Sequence, residues 1–282
     1  MVVKKSVFNF KIQYQDGAVI DLNDDKGLWV SSFRIPSVTP EHITETVDGA
    51  DGALYIETRL TERMLKAVIS FESLDIVDFD LFRDEIYRIF SPLKKFYIIR
   101  DLQPNKRITA SVASGFDIDY LTLEDGEFEI EFVIHSTFIE SAGTTLNPSP
   151  GDYYFPIDKR KIDAGDPPVK YIFNENSFAV FNDSAVTVNP RKQNMELKII
   201  IKGTINNPIV RNVTTGEAWS WTGTADPSDE VILDGIKSLK NNISIFGQTN
   251  RKLLTLKPGW NYFEITGASD FTISFDFRFY YL

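Results

Sequence analysis

The sequence predicts an α+β N-terminal domain, a β-sheet carrying one helix, followed by an all-β sandwich. Three observations carry this. Apolar residues alternate with period two in both halves, a single stretch near residue 80 has helical spacing, and a Pro- and Gly-rich interval in the middle coincides with a break in charge. At 282 residues the chain is long for one ordinary domain and suits two.

In the first half, LKAVISFE (Leu65 to Glu72) puts Leu65, Ala67, Ile69 and Phe71 on one face, as a half-buried strand requires. Phe79, Phe82, Ile86 and Ile89 then fall at helical spacing, with Asp78 as N-cap and Pro92 as stop, which predicts one amphipathic helix over Asp78 to Phe90, the only convincing helix in the chain. FYIIR (Phe96 to Arg100) and RITASVA (Arg107 to Ala113) read as strands joined by a turn at Gln103 to Lys106. EFEIEFVIH sets Phe128, Ile130, Phe132 and Ile134 against Glu127, Glu129 and Glu131 on the opposite face.

Ser141 to Lys170 holds five of the 13 prolines and three glycines, a density that disfavours regular structure. The charge break falls at the same place. Met1 to Glu140 carries 15 Lys+Arg against 25 Asp+Glu, while Ser141 to Leu282 carries 15 of each, so the entire net charge of -10 sits in the first half. We therefore expect domains at 1–140 and 171–282 joined by a linker over 141–170. Beyond it, FAVF, LKIII, EVIL, ISIF, FEIT and FTISFDFRFYYL are short apolar segments separated by turn signals at Asn207-Pro208, Asp234-Gly235 and Pro258-Gly259, the pattern of a β-sandwich.

Composition removes whole classes of chemistry. With no cysteine there is no thiol nucleophile, disulfide or cysteine zinc site, and His42 and His135 are the only imidazoles, too few for a multi-histidine metal centre. The acidic balance speaks against electrostatic wrapping of nucleic acid. No apolar run exceeds four residues, so neither a membrane-spanning helix nor a signal peptide is expected. Neither GxGxxG nor GxxxxGK[ST] occurs, and His135, ending a strand, has no GxSxG elbow to serve. Asp78-Phe79-Asp80 and Asp117-Ile118-Asp119 offer carboxylate pairs of the kind a Ca²⁺ site or glycosidase uses, but the first reads better as helix-start chemistry and the second as strand or turn. Catalytic, cofactor and metal residues are accordingly expected to be none. Trp219, Trp221 and Trp260 are candidate sugar-stacking residues, against the plainer reading that they pack a core.

The sequence also carries blocks that resemble a known family. In the first half these are VDGADGA (Val47 to Ala53), the strand Leu65 to Glu72, the helix after Asp78, FYIIRD, and EFEIEFVIHSTFIES running into the Pro-rich stretch. In the second they are LKIIIKG, NPIVRNVTTGE, DEVILDG, LKPGWN and the terminal FRFYYL. In order and spacing they are similar to the distal tail proteins of siphophages, the phages with long non-contractile tails, and of prophages. Gly49 and Gly52 suit a tight connection between extended segments. None of the blocks holds a reactive constellation.

This resemblance implies a structural, non-enzymatic virion protein without cofactor, made in the host cytoplasm. It implies an N-terminal domain that forms a homo-hexameric ring at the end of the tail tube, with DNA passing through its channel. It further implies a galectin-like C-terminal sandwich that positions receptor-binding proteins, and contacts to the tail tube protein and the tail-associated lysin or tail-fibre hub. A different reading of the residues is a carbohydrate-binding sandwich that meets the bacterial surface through Trp219, Trp221 or Trp260.

Overall fold

The computed structural model describes residues 5–49, 51–134, 136–148, 161–192 and 195–282. The chain is mostly β and divides into two compact units, Met1–Ile139 with Leu282, and Glu140–Tyr281.

In the first unit the strands are β1 (Phe10–Tyr14), β2 (Val19–Asp21), β3 (Trp29–Arg34), β4 (Pro40–Glu45), β5 (Leu54–Leu60), β6 (Arg63–Glu72), β7 (Phe96–Arg100), β8 (Lys106–Val112), β9 (Asp119–Tyr120) and β10 (Asp125–Ile134), while β11 (Ile139–Ser141) spans the division. Their order is β2-β1-β7-β8-β10-β6-β3, with β9 added on β10. The expected alternation sets the longest ladder: β10 and β6 run antiparallel in unbroken register from Asp125 opposite Glu72 to Ile134 opposite Arg63. Phe128, Ile130 and Phe132 thereby face Ile69, Ala67 and Leu65 on the buried side. Gly126 stands opposite Phe71, where a Cβ would meet the phenyl ring at 2.6 Å. On the other face Lys66 bridges Glu129 and Glu131. Phe10 of β1 and Phe33 of β3 lie near opposite ends of the strand order, yet their ring centroids are 5.0 Å apart, so the sheet curls to bring its ends together. Phe132 fills the enclosed space against Phe10, Phe90 and Phe96.

The helix is longer at its start than the sequence predicts. It is α2 (Ile76–Ile89), and its N-cap is Asp75, not Asp78: the Asp75 carboxylate accepts from the N–H groups of Val77 and Asp78, each at 2.8 Å. Asp78 reaches back to the N–H of Leu74, the residue before the cap, at 2.9 Å, and so helps fix the chain's entry into the helix. A second, five-residue helix, α1 (Leu22–Lys26), is unexpected. Asp21 caps it and Gly27 at φ 66° closes it, in a segment too short to show periodicity.

In the second unit the strands are β12 (Ile172–Phe173), β13 (Ser177–Asn182), β14 (Leu197–Asn212), β15 (Glu217–Ser220), β16 (Thr224–Ala225), β17 (Val231–Asp234), β18 (Lys237–Lys240), β19 (Ile243–Ser244), β20 (Gly259–Phe277) and β21 (Tyr280–Tyr281). Nine of them, β12 to β20, make one hydrogen-bonded network ordered β12-β20-β14-β17-β18-β19, with β13 on β20 and β15 and β16 on β14. Two expectations are corrected. FEIT and FTISFDF belong to one 19-residue strand, and Asn207-Pro208 is not a turn between strands but lies inside β14. The register between β14 and β20 jumps there, from Ile205 opposite Ala268 to Ile209 opposite Thr266. Asn207 takes φ 49° at this irregularity and Gly267 takes φ 73°, where a Cβ would strike the Asn206 carbonyl oxygen at 2.5 Å. Such bulges bend long strands and increase their local twist. The core is aromatic, with Phe173, Phe178, Phe263 and Phe275 in mutual ring contact.

The start of the interval read as a linker is stitched into this unit. Ser141 N–H donates to Phe279 O at 2.9 Å, Thr145 Oγ1 donates to Phe275 O, and the Arg278 guanidinium donates to the carbonyls of Ser141 and Ala142 at 2.9 Å.

Candidate interaction surfaces

The reactive-looking side chains do not converge. His42 is exposed on β4, with Nδ1 2.8 Å from Thr58 Oγ1, which lies 2.7 Å from the Tyr55 hydroxyl. This hydroxyl chain sits on an open hairpin with no wall to exclude water. His135 lies outside the described residues. Asp78 is a helix-start acceptor and Asp80 pairs with Arg83 at 2.8 Å. Asp117 and Asp119 are both exposed, and Asp119 stands opposite Glu127. Among the described residues no group of three His, Asp or Glu side chains is placed to hold a metal ion, and no helix is long and apolar enough to cross a membrane.

The tryptophans are built into the second unit. Trp219 is fully buried and donates its indole N–H to Ser238 Oγ at 3.2 Å, and Trp221 is 4 % exposed and donates to Gln248 Oε1 at 3.0 Å. Neither presents a ring face to solvent, and each indole N–H has an acceptor within the unit. Trp260 is half-buried against Phe181, ring centroids 5.0 Å apart.

What the first unit does expose is a hairpin. β4 and β5 pair only with each other, closed by a connection in which Gly49 and Gly52 take φ 83° and 85°. Every residue of β5 is exposed, and Leu54, Tyr55 and Ile56, which alternate between the two faces, are each more than half accessible. Its root is fixed. The buried Arg63 guanidinium donates to Pro36 O at 2.6 Å and to Thr137 O at 3.3 Å, and Thr137 Oγ1 donates to Thr61 O. Burial holds the Arg63 pKa below its ordinary value. The sequence reading of Gly49 and Gly52 as a tight connection between extended segments agrees with this hairpin, although it assigned no bounds to the two strands, for which the apolar triplet after Gly52 was the signal.

Charge is organised at two points. Lys5 lies 2.7, 2.8 and 3.1 Å from carboxylates of Asp21, Asp24 and Asp101. Burial works against its charge, but the three carboxylate hydrogen bonds outweigh that and raise its pKa, while burial of Asp21 is likewise outweighed by Lys5 and Asn9 and its pKa falls. In the second unit Asp229 is lowered to about 2 by the Asp226 N–H, then Lys240 and Asn241.

Residues 15–134 match the family model of the phage tail protein RIFT-related domain. Among curated proteins none matches the sequence. Among solved structures the chain is similar to the Dit protein of phage SPP1, described as a paradigm of the hub adsorption apparatus in phages infecting Gram-positive hosts, at 13% identity over 96% of this chain and 99% of that one, with a TM-score of 0.68. It is also similar to a chain of the phage p2 baseplate in its activated conformation with Sr, at 13% identity over 97% of this chain and 98% of that one, with a TM-score of 0.46. The resemblance carried by the sequence blocks is thus met by the fold of SPP1 Dit over nearly the entire chain, and by the match of residues 15–134 to the phage tail protein RIFT-related domain.

Proposed function

We propose that the chain is a distal tail protein, a non-enzymatic hub at the tip of a siphophage or prophage tail. In this reading the first unit forms a homo-hexameric ring between the tail tube protein and the tail-associated lysin or tail-fibre hub, DNA passes through the ring, and the second unit, as a galectin-like sandwich, positions receptor-binding proteins.

The observation that carries the ring is the hairpin. A two-stranded ribbon with apolar side chains on both faces is marginal by itself in water, and a patch holding Leu54, Tyr55 and Ile56 is stabilised by being covered. A second copy supplies that cover, and closed cyclic symmetry supplies it to every copy equally. The acidic excess of the first half supports a channel for DNA, since a wall of Lys and Arg would hold each phosphate by counterion release.

Native mass spectrometry and negative-stain imaging of the full chain, alone and with adjacent tail proteins, test the reading, with hexamers expected. Thr61 N–H donates to Thr39 O at 3.0 Å, so residues 40–60 can be replaced by a short Gly-Ser turn without stretching the root. That variant is expected to stay folded and monomeric. A strict monomer for the intact chain under all these conditions rejects the ring, and hexamers from the shortened chain reject the hairpin as its contact.

A further inference from the structure

The second unit holds a cleft of about 570 Å³ against one edge of its sheet, within the size range of specific binding sites. Its floor is β13 and the outer face of β20; Pro167, Pro168 and the half-exposed Tyr262 form its apolar walls, and Glu175 and Glu264 stand at its rim.

The direction of the backbone groups decides what fits there. Val213 N–H donates to Tyr262 O at 2.8 Å and Tyr262 N–H donates to Thr214 Oγ1 at 2.9 Å, so the peptide groups of Tyr262 point toward the β14 side. Ile265 N–H, in the opposite phase, points to Asn176 O at 2.9 Å. Ala179 is in register with Tyr262 and Ser177 with Glu264, which turns the N–H and C=O of Ser177 and Ala179 away from β20 and into the cleft. Phe181, two residues further in the same phase, has its outward carbonyl taken by the Tyr171 hydroxyl at 3.0 Å. Among the described residues the backbone groups of Ser177 and Ala179 have no hydrogen-bond partner.

We infer that β13 is a docking edge to which a partner protein adds an extended segment as a further strand. This rests on the reading of the second unit as a partner-holding module and not on the ring. Main-chain hydrogen bonds to Ser177 and Ala179 supply the pairing, and alternate apolar side chains of the segment lie against Tyr262 and the prolines. The rim selects a basic residue. Lys170 is already engaged with Glu175 at 3.3 Å, whereas Glu264 makes no ion pair among the described residues and is open to a Lys or Arg of the segment. A neutral sugar fits the walls less well, since two outward peptide groups 2 residues apart repeat at the spacing of a strand.

The test uses the full chain. Hydrogen exchange is expected to show fast Ser177 and Ala179 amides, which slow at least tenfold when an octapeptide selected from a displayed random library is added, and the selected peptides should alternate apolar residues and carry Lys or Arg. Ala179→Pro removes an N–H that the native ladder does not use and is expected to weaken the peptide at least tenfold, and Glu264→Lys at least threefold, with thermal stability kept in the second variant. Slow exchange of both amides in the free chain overturns the inference, as does undiminished peptide binding by both variants. A selection that returns no binder, while galactose or N-acetylglucosamine shifts Tyr262 resonances, overturns it in favour of a sugar subsite. Hexamers that ignore the peptide count against this inference alone, and monomers that bind it count against the ring alone.

Discussion

Asn212 donates through Nδ2 to Asn261 Oδ1 at 3.2 Å, joining β14 to β20 between two side chains that are both fully buried. The pair is satisfied on every side. Asn212 also donates to Thr255 O and accepts from Thr214 N–H, while Asn261 accepts from Lys257 N–H and donates to Lys257 O and Gly259 O. The LKPGWN block is thus held by amide side chains where a regular ladder cannot reach.

Asn212→Ala removes the donor to the Thr255 carbonyl and the acceptor of the Thr214 N–H at a buried site, and we expect a loss of about 2–4 kcal/mol, more than one ordinary hydrogen bond. Urea unfolding of the chain checks this, with Asn174→Ala, an exposed position, as control expected within about 0.5 kcal/mol.

Gly267→Ala forces a Cβ against the Asn206 and Asn207 carbonyls at a positive φ, and a loss of about 2 kcal/mol or more is expected. Gly216→Ala is the comparison: its φ is 76° but nothing lies within 4 Å of the added Cβ, so only the backbone term, about 1 kcal/mol, remains. Equal melting temperatures for the two variants would contradict the bulge geometry.

Lys5→Met leaves Asp21, Asp24 and Asp101 facing one another. Asp21 has a depressed folded pKa, so its contribution is present above the unfolded carboxylate range and is lost as pH falls through the folded value. The variant should therefore be less stable than the parent at pH 7, by about 1–2 kcal/mol allowing for solvent screening at a partly exposed site, and the gap should narrow toward pH 3. A gap independent of pH removes the electrostatic account.

Limited proteolysis is expected to cut first within 148–160, where Pro148, Pro150, Gly151 and Pro156 cluster in the sequence. The two fragments should co-elute on size exclusion and part only in urea, because the strip from Ser141 to Asn147 stays bonded to the last strands of the second unit. Division at 139/140 instead is expected to give a second unit that folds alone. Fragments that separate in native buffer sink this arrangement.

Much of the first unit was legible. Leu65 to Phe71 and Phe128 to Ile134 announced their buried faces because each strand has one dry and one wet side, and the helix near residue 80 showed its stripe. Asp75 escaped notice as the cap because three aspartates lie within six residues and pattern alone does not choose among them. Asn207-Pro208 misled for a related reason: a bulge and a turn demand the same residue types, and only pairing with Gly267 separates them. α1 had a signature in DLNDDKG, an Asp before and a Gly after, without the length for periodicity. Trp219 and Trp221 could not be placed by composition, since a tryptophan that packs a core and one that faces a ligand are the same residue.

In the ring proposed above, the clamp formed by Arg63, Pro36 and Thr137 bears on the kinetics of assembly. An arm hinged on a loose tether explores a volume that must collapse before it docks, whereas one anchored through a buried guanidinium arrives with its direction set. Less conformational freedom is then surrendered at each contact, and closure of a ring from such subunits becomes faster and less dependent on protein concentration. Weakening the anchor, as in Arg63→Lys, keeps the charge but loses the planar fork, so rings should still form from concentrated protein and fall apart first on dilution.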